Sequence, residues 1–146
     1  MRRTPGGRFG WPPGRGYLET AMDIDPPKGV RLALVVDDNA QAAAISTTML
    51  QSQGWTVERA ADGFEAIVKV RARPYAAMLL DYSLPGMDGF EVLTWVRRNL
   101  AIAPEIVVLS AECPNFLKSR FAGLGVRAIL SKPVLPADLI AALEAA

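Results

Sequence analysis

Four apolar stretches of this chain each run into a residue able to do chemistry. Leu32-Ala33-Leu34-Val35-Val36 ends in Asp37-Asp38, Ala76-Ala77-Met78-Leu79-Leu80 in Asp81, and Ile106-Val107-Val108-Leu109 in Ser110. Arg127-Ala128-Ile129-Leu130 leads to Lys132-Pro133. Singly, each has an ordinary explanation: Asp38 as a helix cap, Ser110 as a turn former at a strand end, Lys132 as a solvated charge. Together they place three carboxylates, a hydroxyl and an ammonium at successive strand ends. Three neighbouring carboxylates resist ionising together without a compensating charge. Hard oxygen ligands with no imidazole or thiolate among them suit Mg2+, which prefers an octahedral oxygen shell and keeps several waters. An aspartate facing a metal, a lysine and a hydroxyl also fits a phosphoryl acceptor that forms an aspartyl phosphate. The metal and Lys132 would neutralise the phosphoryl oxygens.

Such a cluster needs elements that deliver all five groups to one edge, and the hydrophobic pattern supplies them. The first strand, Leu32 to Val36, precedes a helix from about Ala40 to Gln53 with Ile45 and Met49 on one face and Gly54 as its stop. A short strand follows over Thr56 to Arg59. Asp62 and Glu65 then have capping-box spacing ahead of Phe64, Ile67 and Val68, which predicts a second helix. The third strand ends at Asp81, a loop with Pro85 and Gly86 follows, and a third helix carries Phe90, Leu93 and Val96. After the fourth strand, Leu117 and Phe121 pair at helical spacing before Gly123 and Gly125. The fifth strand is followed by a helix opening at Pro136, with Leu139, Ile140 and Leu143 inward. Five strand–helix units with continuously apolar strands imply an α/β fold: a parallel sheet covered on both faces and doubly wound by right-handed crossovers. Ligands bind such sheets at the carboxyl ends of the strands, where the five polar groups lie.

The 146 residues suit a single domain with a proper core. A net charge of +1 gives no global electrostatic case for nucleic acid. The single cysteine, Cys113, excludes an internal disulfide and fits a reducing, cytoplasmic setting. Its expected role is that of a small residue near the start of the fourth helix. No apolar run is long enough for membrane insertion. The chain has no histidine, so it holds no histidine metal site, no catalytic imidazole and no phosphohistidine of its own. Residues 1–29 form a Gly-, Pro- and Arg-rich arm without helical or strand period, read as disordered. Its arginines interleave with Phe9, Trp11 and Tyr17, which fits a solvated tail better than an RNA-binding one.

Residues 30–146 resemble the receiver domain of bacterial two-component response regulators. The resemblance rests on VVDDN at Val35 to Asn39, LLDYSLPGMDG at Leu79 to Gly89, LSAE at Leu109 to Glu112 and LSKP at Leu130 to Pro133. It implies a flavodoxin-like sheet of five parallel strands in the order 2-1-3-4-5. It implies that Asp81 is the phosphoacceptor, that Asp38, Asp81 and the backbone carbonyl of Ser83 ligate Mg2+, and that Asp37 acts through a bound water. Lys132 would bind the phosphoryl group, Ser110 would be the hydroxyl that moves to it, and Lys132-Pro133 would be a cis peptide. The phosphate would come from a histidine kinase or a histidine phosphotransfer protein. Only one helix follows the fifth strand, so the expected output is contact with a downstream protein target and not DNA binding. The resemblance implies no enzyme beyond the receiver's part in its own phosphorylation and dephosphorylation.

Ile129 occupies the place where the family often carries a rotating Tyr or Phe, so that readout is expected to differ. The residues two beyond Asp81 and Ser110, Ser83 and Glu112, carry no amide to position an attacking water, and the phosphoryl lifetime stays open. A phosphorelay or phosphate-sink receiver of the hybrid-kinase type is the close alternative. A phosphatase of the haloacid-dehalogenase type uses similar groups. It places its acid pair last in the chain, however, and needs an acid where Ser83 stands.

Overall fold

The computed structural model describes residues 31–112 and 114–144. The arm expected over residues 1–29, and Cys113, lie outside the described residues. Ten elements alternate strictly: β1 (Arg31–Val36), α1 (Ala40–Gln51), β2 (Trp55–Ala60), α2 (Gly63–Ala72), β3 (Ala77–Asp81), α3 (Gly89–Asn99), β4 (Glu105–Ser110), α4 (Pro114–Arg120), β5 (Ala128–Ser131) and α5 (Pro136–Glu144). All four strand pairings are parallel, and the sheet order is β2-β1-β3-β4-β5, as expected.

Alternation along each strand divides the interior into two layers. Leu32, Leu34 and Val36 point, with Met78, Leu80, Ile106 and Val108, towards Ala66, Val70, Val92, Val96 and Leu117 of α2, α3 and α4. Ala33 and Val35 point the other way with Leu79, Val107 and Leu109, under Ala43 and Leu50 of α1 and Leu139 of α5. Each fully buried Leu or Val contributes about 1.5–3 kcal/mol relative to leaving it in water.

Two helix faces differ from the sequence expectation. Helix α1 buries Ala43, Ser46 and Leu50, a spacing of three and four that makes one stripe, while Ile45 lies 58 % exposed on the far side and Met49 flanks the core. Small side chains at Ala43 and Ser46 let α1 lie close against the sheet. Helix α2 likewise buries Gly63, Ala66 and Val70 and turns Phe64 and Val68 outward. In α5 only Leu139 is fully buried; Leu143 packs partly and Ile140 is half-buried. Leu117 and Phe121 are both buried, but α4 ends at Arg120, so Phe121 lies in the turn that follows the helix.

The helix starts also refine the sequence reading. Asn39, not Asp38, caps α1: its side chain accepts from the amide of Ala42 at 2.9 Å. Asp62 caps α2 through the Glu65 amide, but the Glu65 carboxylate reaches back to Ala61 and not to the cap residue. The complete capping box belongs to Asp88 and Glu91 at α3.

Candidate functional site

The carboxyl ends of β1, β3, β4 and β5 meet at one edge of the sheet. Asp37 extends β1, its amide donating to the Ala60 carbonyl at 3.1 Å. Asp81 closes β3 and pairs across the ladder with Leu109, so Ser110 stands one residue further along the neighbouring strand. The next loop is tied on by the Lys132 amide, which donates to the Ser110 carbonyl at 2.8 Å. The Lys132-Pro133 peptide is cis, as the sequence suggested.

The ammonium of Lys132 joins the strands electrostatically. It donates to Asp81 Oδ2 at 3.0 Å and to Asp37 Oδ2 at 3.3 Å. The other oxygens are held locally: Asp37 Oδ1 accepts the Asn39 amide at 2.9 Å and Asp81 Oδ1 the Ser83 amide at 3.2 Å. Asp37, Asp81 and Ser110 are buried, whereas Asp38 is exposed. Carboxylate oxygens of Asp37, Asp38 and Asp81 all lie within 4.8 Å of one another. The Ser110 hydroxyl oxygen accepts the Glu112 amide at 2.8 Å, which leaves its O–H free to donate.

Charge in this corner is unevenly compensated. Burial raises the Asp81 carboxyl above its ordinary value; the hydrogen bond and charge of Lys132 and the Ser83 amide pull it down, and Asp37 pushes it up again. Burial alone would lower Lys132, but Asp81 and then Asp37 outweigh it and hold the ammonium above its ordinary value. The asymmetry has a simple source: Lys132 faces two carboxylates, whereas Asp81 faces one ammonium and one like charge.

This donor set fits a hard divalent cation. Three carboxylates lie close together with one ammonium on two of them, all donors are oxygens, and Asp38 has no hydrogen bond to its carboxylate among the described residues. Asp37 and Asp81 each have both carboxylate oxygens engaged, by Lys132 and by the amides of Asn39 and Ser83 respectively. Ser83 sits in the same loop, and its amide has turned onto Asp81.

The loop after β3 is shaped to keep α3 near this corner. A Cβ on Gly89 would come within 2.7 Å of the Asp81 carbonyl oxygen and 2.9 Å of Tyr82 Cα, so α3 could not start where it does with a larger residue. Gly86 takes φ of 78° inside a turn closed by the Met87 amide on the Pro85 carbonyl at 2.9 Å. On the opposite side, an open cleft of about 400 Å3 lies beside the acids, between α1 and the loop after β5. Asp37, Asn39, Ile45, Lys132 and Val134 line it.

A family model for the response regulator receiver domain matches residues 33–144. The chain belongs to that family. Among its relatives, the transcriptional regulatory protein TcrA of Mycobacterium tuberculosis is 39 % identical over 119 residues, covering 80 % of this chain and 46 % of TcrA. The alkaline phosphatase synthesis transcriptional regulatory protein PhoP of Bacillus subtilis is 32 % identical, covering 77 % of this chain and 46 % of PhoP. The receiver thus spans less than half the length of these relatives. The solved chemotaxis protein CheY4 of Vibrio cholerae matches with a TM-score of 0.74 at 30 % identity, over 80 % of this chain and 98 % of that one.

Within the receiver, the sequence reading brought together Asp37, Asp38, Asp81 and Lys132, and put Ser110 on the adjoining strand end. It missed Arg59, whose guanidinium donates to the Asp37 carbonyl from Nε at 3.2 Å and Nη2 at 2.9 Å. A basic residue at the last inward position of an edge strand, after Trp55 and Val57, was the available signal. Ile129 is half-buried against the α2–α4 layer. No helix among the described residues is long and apolar enough to cross a membrane.

Proposed function

We propose that this receiver is a phosphoacceptor of two-component signalling, phosphorylated on Asp81 by a partner's phosphohistidine with Mg2+. The observation that carries the reading is the Lys132 ammonium bridging Asp37 and Asp81 at the strand edge. A phosphoryl group entering there meets a nucleophilic carboxylate oxygen, an ammonium and a hydroxyl with a free O–H. An Asp81 oxygen attacks phosphorus, the P–N bond breaks, and its electron pair returns to the partner's imidazole. Lys132 moves its hydrogen bonds onto the phosphoryl oxygens, and Ser110 donates to another. Bound between Asp38, Asp81 and the Ser83 carbonyl, with Asp37 acting through water, Mg2+ would supply positive charge to the phosphoryl oxygens.

The donor is a histidine kinase or histidine phosphotransfer protein, because this chain has no histidine. The cleft lined by Asp37 and Lys132, rimmed by exposed Ile45, offers that partner an apolar surface beside the acidic corner. Output runs through contact with a downstream protein. The test is incubation with Mg2+ and acetyl phosphate. An acid-stable, base-labile adduct that disappears in Asp81→Asn supports the reading, and no adduct under conditions that label another receiver refutes it.

A further inference from the structure

Arg59 lies outside every motif that carries the family resemblance, yet its guanidinium is built into the acidic corner. It pairs with Val35 in the β1–β2 ladder, and strand alternation sends its side chain to the face that α1 covers. Its two donors converge on the carbonyl of Asp37. That carbonyl belongs to the peptide plane joining Asp37 to Asp38. The amide and both carboxylate oxygens of Asp37 are already engaged, by Ala60, Asn39 and Lys132. The Asp38 side chain has no hydrogen bond among the described residues, so what Arg59 can hold is the peptide from which the Asp38 Cα–Cβ bond projects.

Arg59 has two opposed effects on a cation at this site. As a fixed positive charge held on the Asp37 carbonyl, it repels a cation entering the nearby site. As a clamp with two charge-assisted hydrogen bonds, it holds the peptide that carries Asp38, whose carboxylate lies near those of Asp37 and Asp81. Arg59 is half-buried, so solvent partly screens the repulsion, whereas the clamp acts through a rigid peptide. We propose that Arg59 is a positioning residue for the Mg2+ site, acting on Asp38 through the Asp37–Asp38 peptide. The inference rests on the reading of the acid triad as an Mg2+ site.

The experiment is an Mg2+ titration of the full chain followed by backbone amide NMR, comparing wild type with Arg59→Lys and Arg59→Met. Removing a side chain that orients a ligand typically weakens metal affinity about 10–100-fold. Arg59→Met should raise the Mg2+ Kd at least about tenfold, at the lower end of that range. Arg59→Lys keeps the charge and one donor, and should fall between Met and wild type. In metal-free protein the amides of Asp38 and Asn39 should shift in both variants, while those around Leu139 stay put. A Kd that is unchanged or tighter in Arg59→Met overturns the proposal, a tighter one showing that repulsion dominates. If Arg59→Met does not fold, Arg59→Lys decides alone: a Kd raised about threefold or more supports the clamp, and a wild-type Kd overturns it. Absence of any saturable response in the wild type would instead overturn the Mg2+ reading itself.

Discussion

Replacing Lys132 with Met removes the ammonium from the acidic corner while keeping much of the side chain's bulk. At an effective dielectric near 20, contacts at 3.0 and 3.3 Å are each worth about 5 kcal/mol of gross attraction. Two carboxylates at the 4.8 Å limit of the cluster repel by about 3.5 kcal/mol on the same scale. Those gross figures do not appear in full. The Lys132 side chain is 26 % exposed, its desolvation is regained, and a carboxyl can take up a proton. A net loss of about 3 kcal/mol at pH 7.5 in EDTA is expected, or about 10 °C in Tm for a domain of this size. Without Lys132 the Asp81 carboxyl rises further above its ordinary value, because burial and Asp37 act unopposed. The folded variant then holds a proton that the unfolded chain releases, so its stability is lost as pH rises through the raised value. The deficit against wild type should therefore shrink as pH falls towards about 4. Urea denaturation by circular dichroism at pH 7.5 and 4.5 measures it. A deficit below about 0.5 kcal/mol at pH 7.5, or one that grows on acidification, would refute the charge argument.

Asp81→Asn should stabilise the metal-free receiver by about 1 kcal/mol at pH 7.5. The raised folded-state value means that Asp81 stabilises the fold only while protonated, fully below about 4, and opposes it once ionised. A lower Tm for Asp81→Asn in EDTA would contradict this. Asp38→Ala should weaken Mg2+ binding more than Asp37→Ala while leaving metal-free stability unchanged, whereas Asp37→Ala should lower stability by breaking its bonds to Lys132 and Asn39; isothermal titration and thermal melts together read both, and equal losses of affinity would mean the direct ligand is misassigned. Gly89→Ala should destabilise by about 1–3 kcal/mol, because the new methyl meets the Asp81 backbone. An unchanged Tm would show that α3 is free to shift.

The fold was legible because period and punctuation agreed for most elements: four apolar runs of strand length, with capped helices after the first three strands. The site was legible because parallel strands bring their ends to one edge, so residues distant in sequence could be matched by position alone. What was not legible depended on distances between backbones. Ile45 and Phe64 read as helix-face apolar residues, yet the sheet accepts Ala43, Ser46 and Ala66 because small side chains allow close approach. Asp38 read as a possible cap because aspartate and asparagine share that propensity, and only the backbone shows that Asn39 takes the role. Arg59 escaped notice because its partner is a carbonyl, a group every residue carries and no sequence pattern marks.

The bonds from Lys132 span 51 residues to Asp81 and 95 to Asp37. Contacts so distant along the chain form late, after the loops between them have closed. Until β5 docks beside β4, the growing sheet carries a cluster of acids with no ammonium among them, a locally frustrated edge inside an otherwise consistent fold. The last strand therefore completes the charge balance as well as the hydrogen-bond ladder. A chain stopped before β5 would assemble its apolar layers around an acidic edge that lacks Lys132.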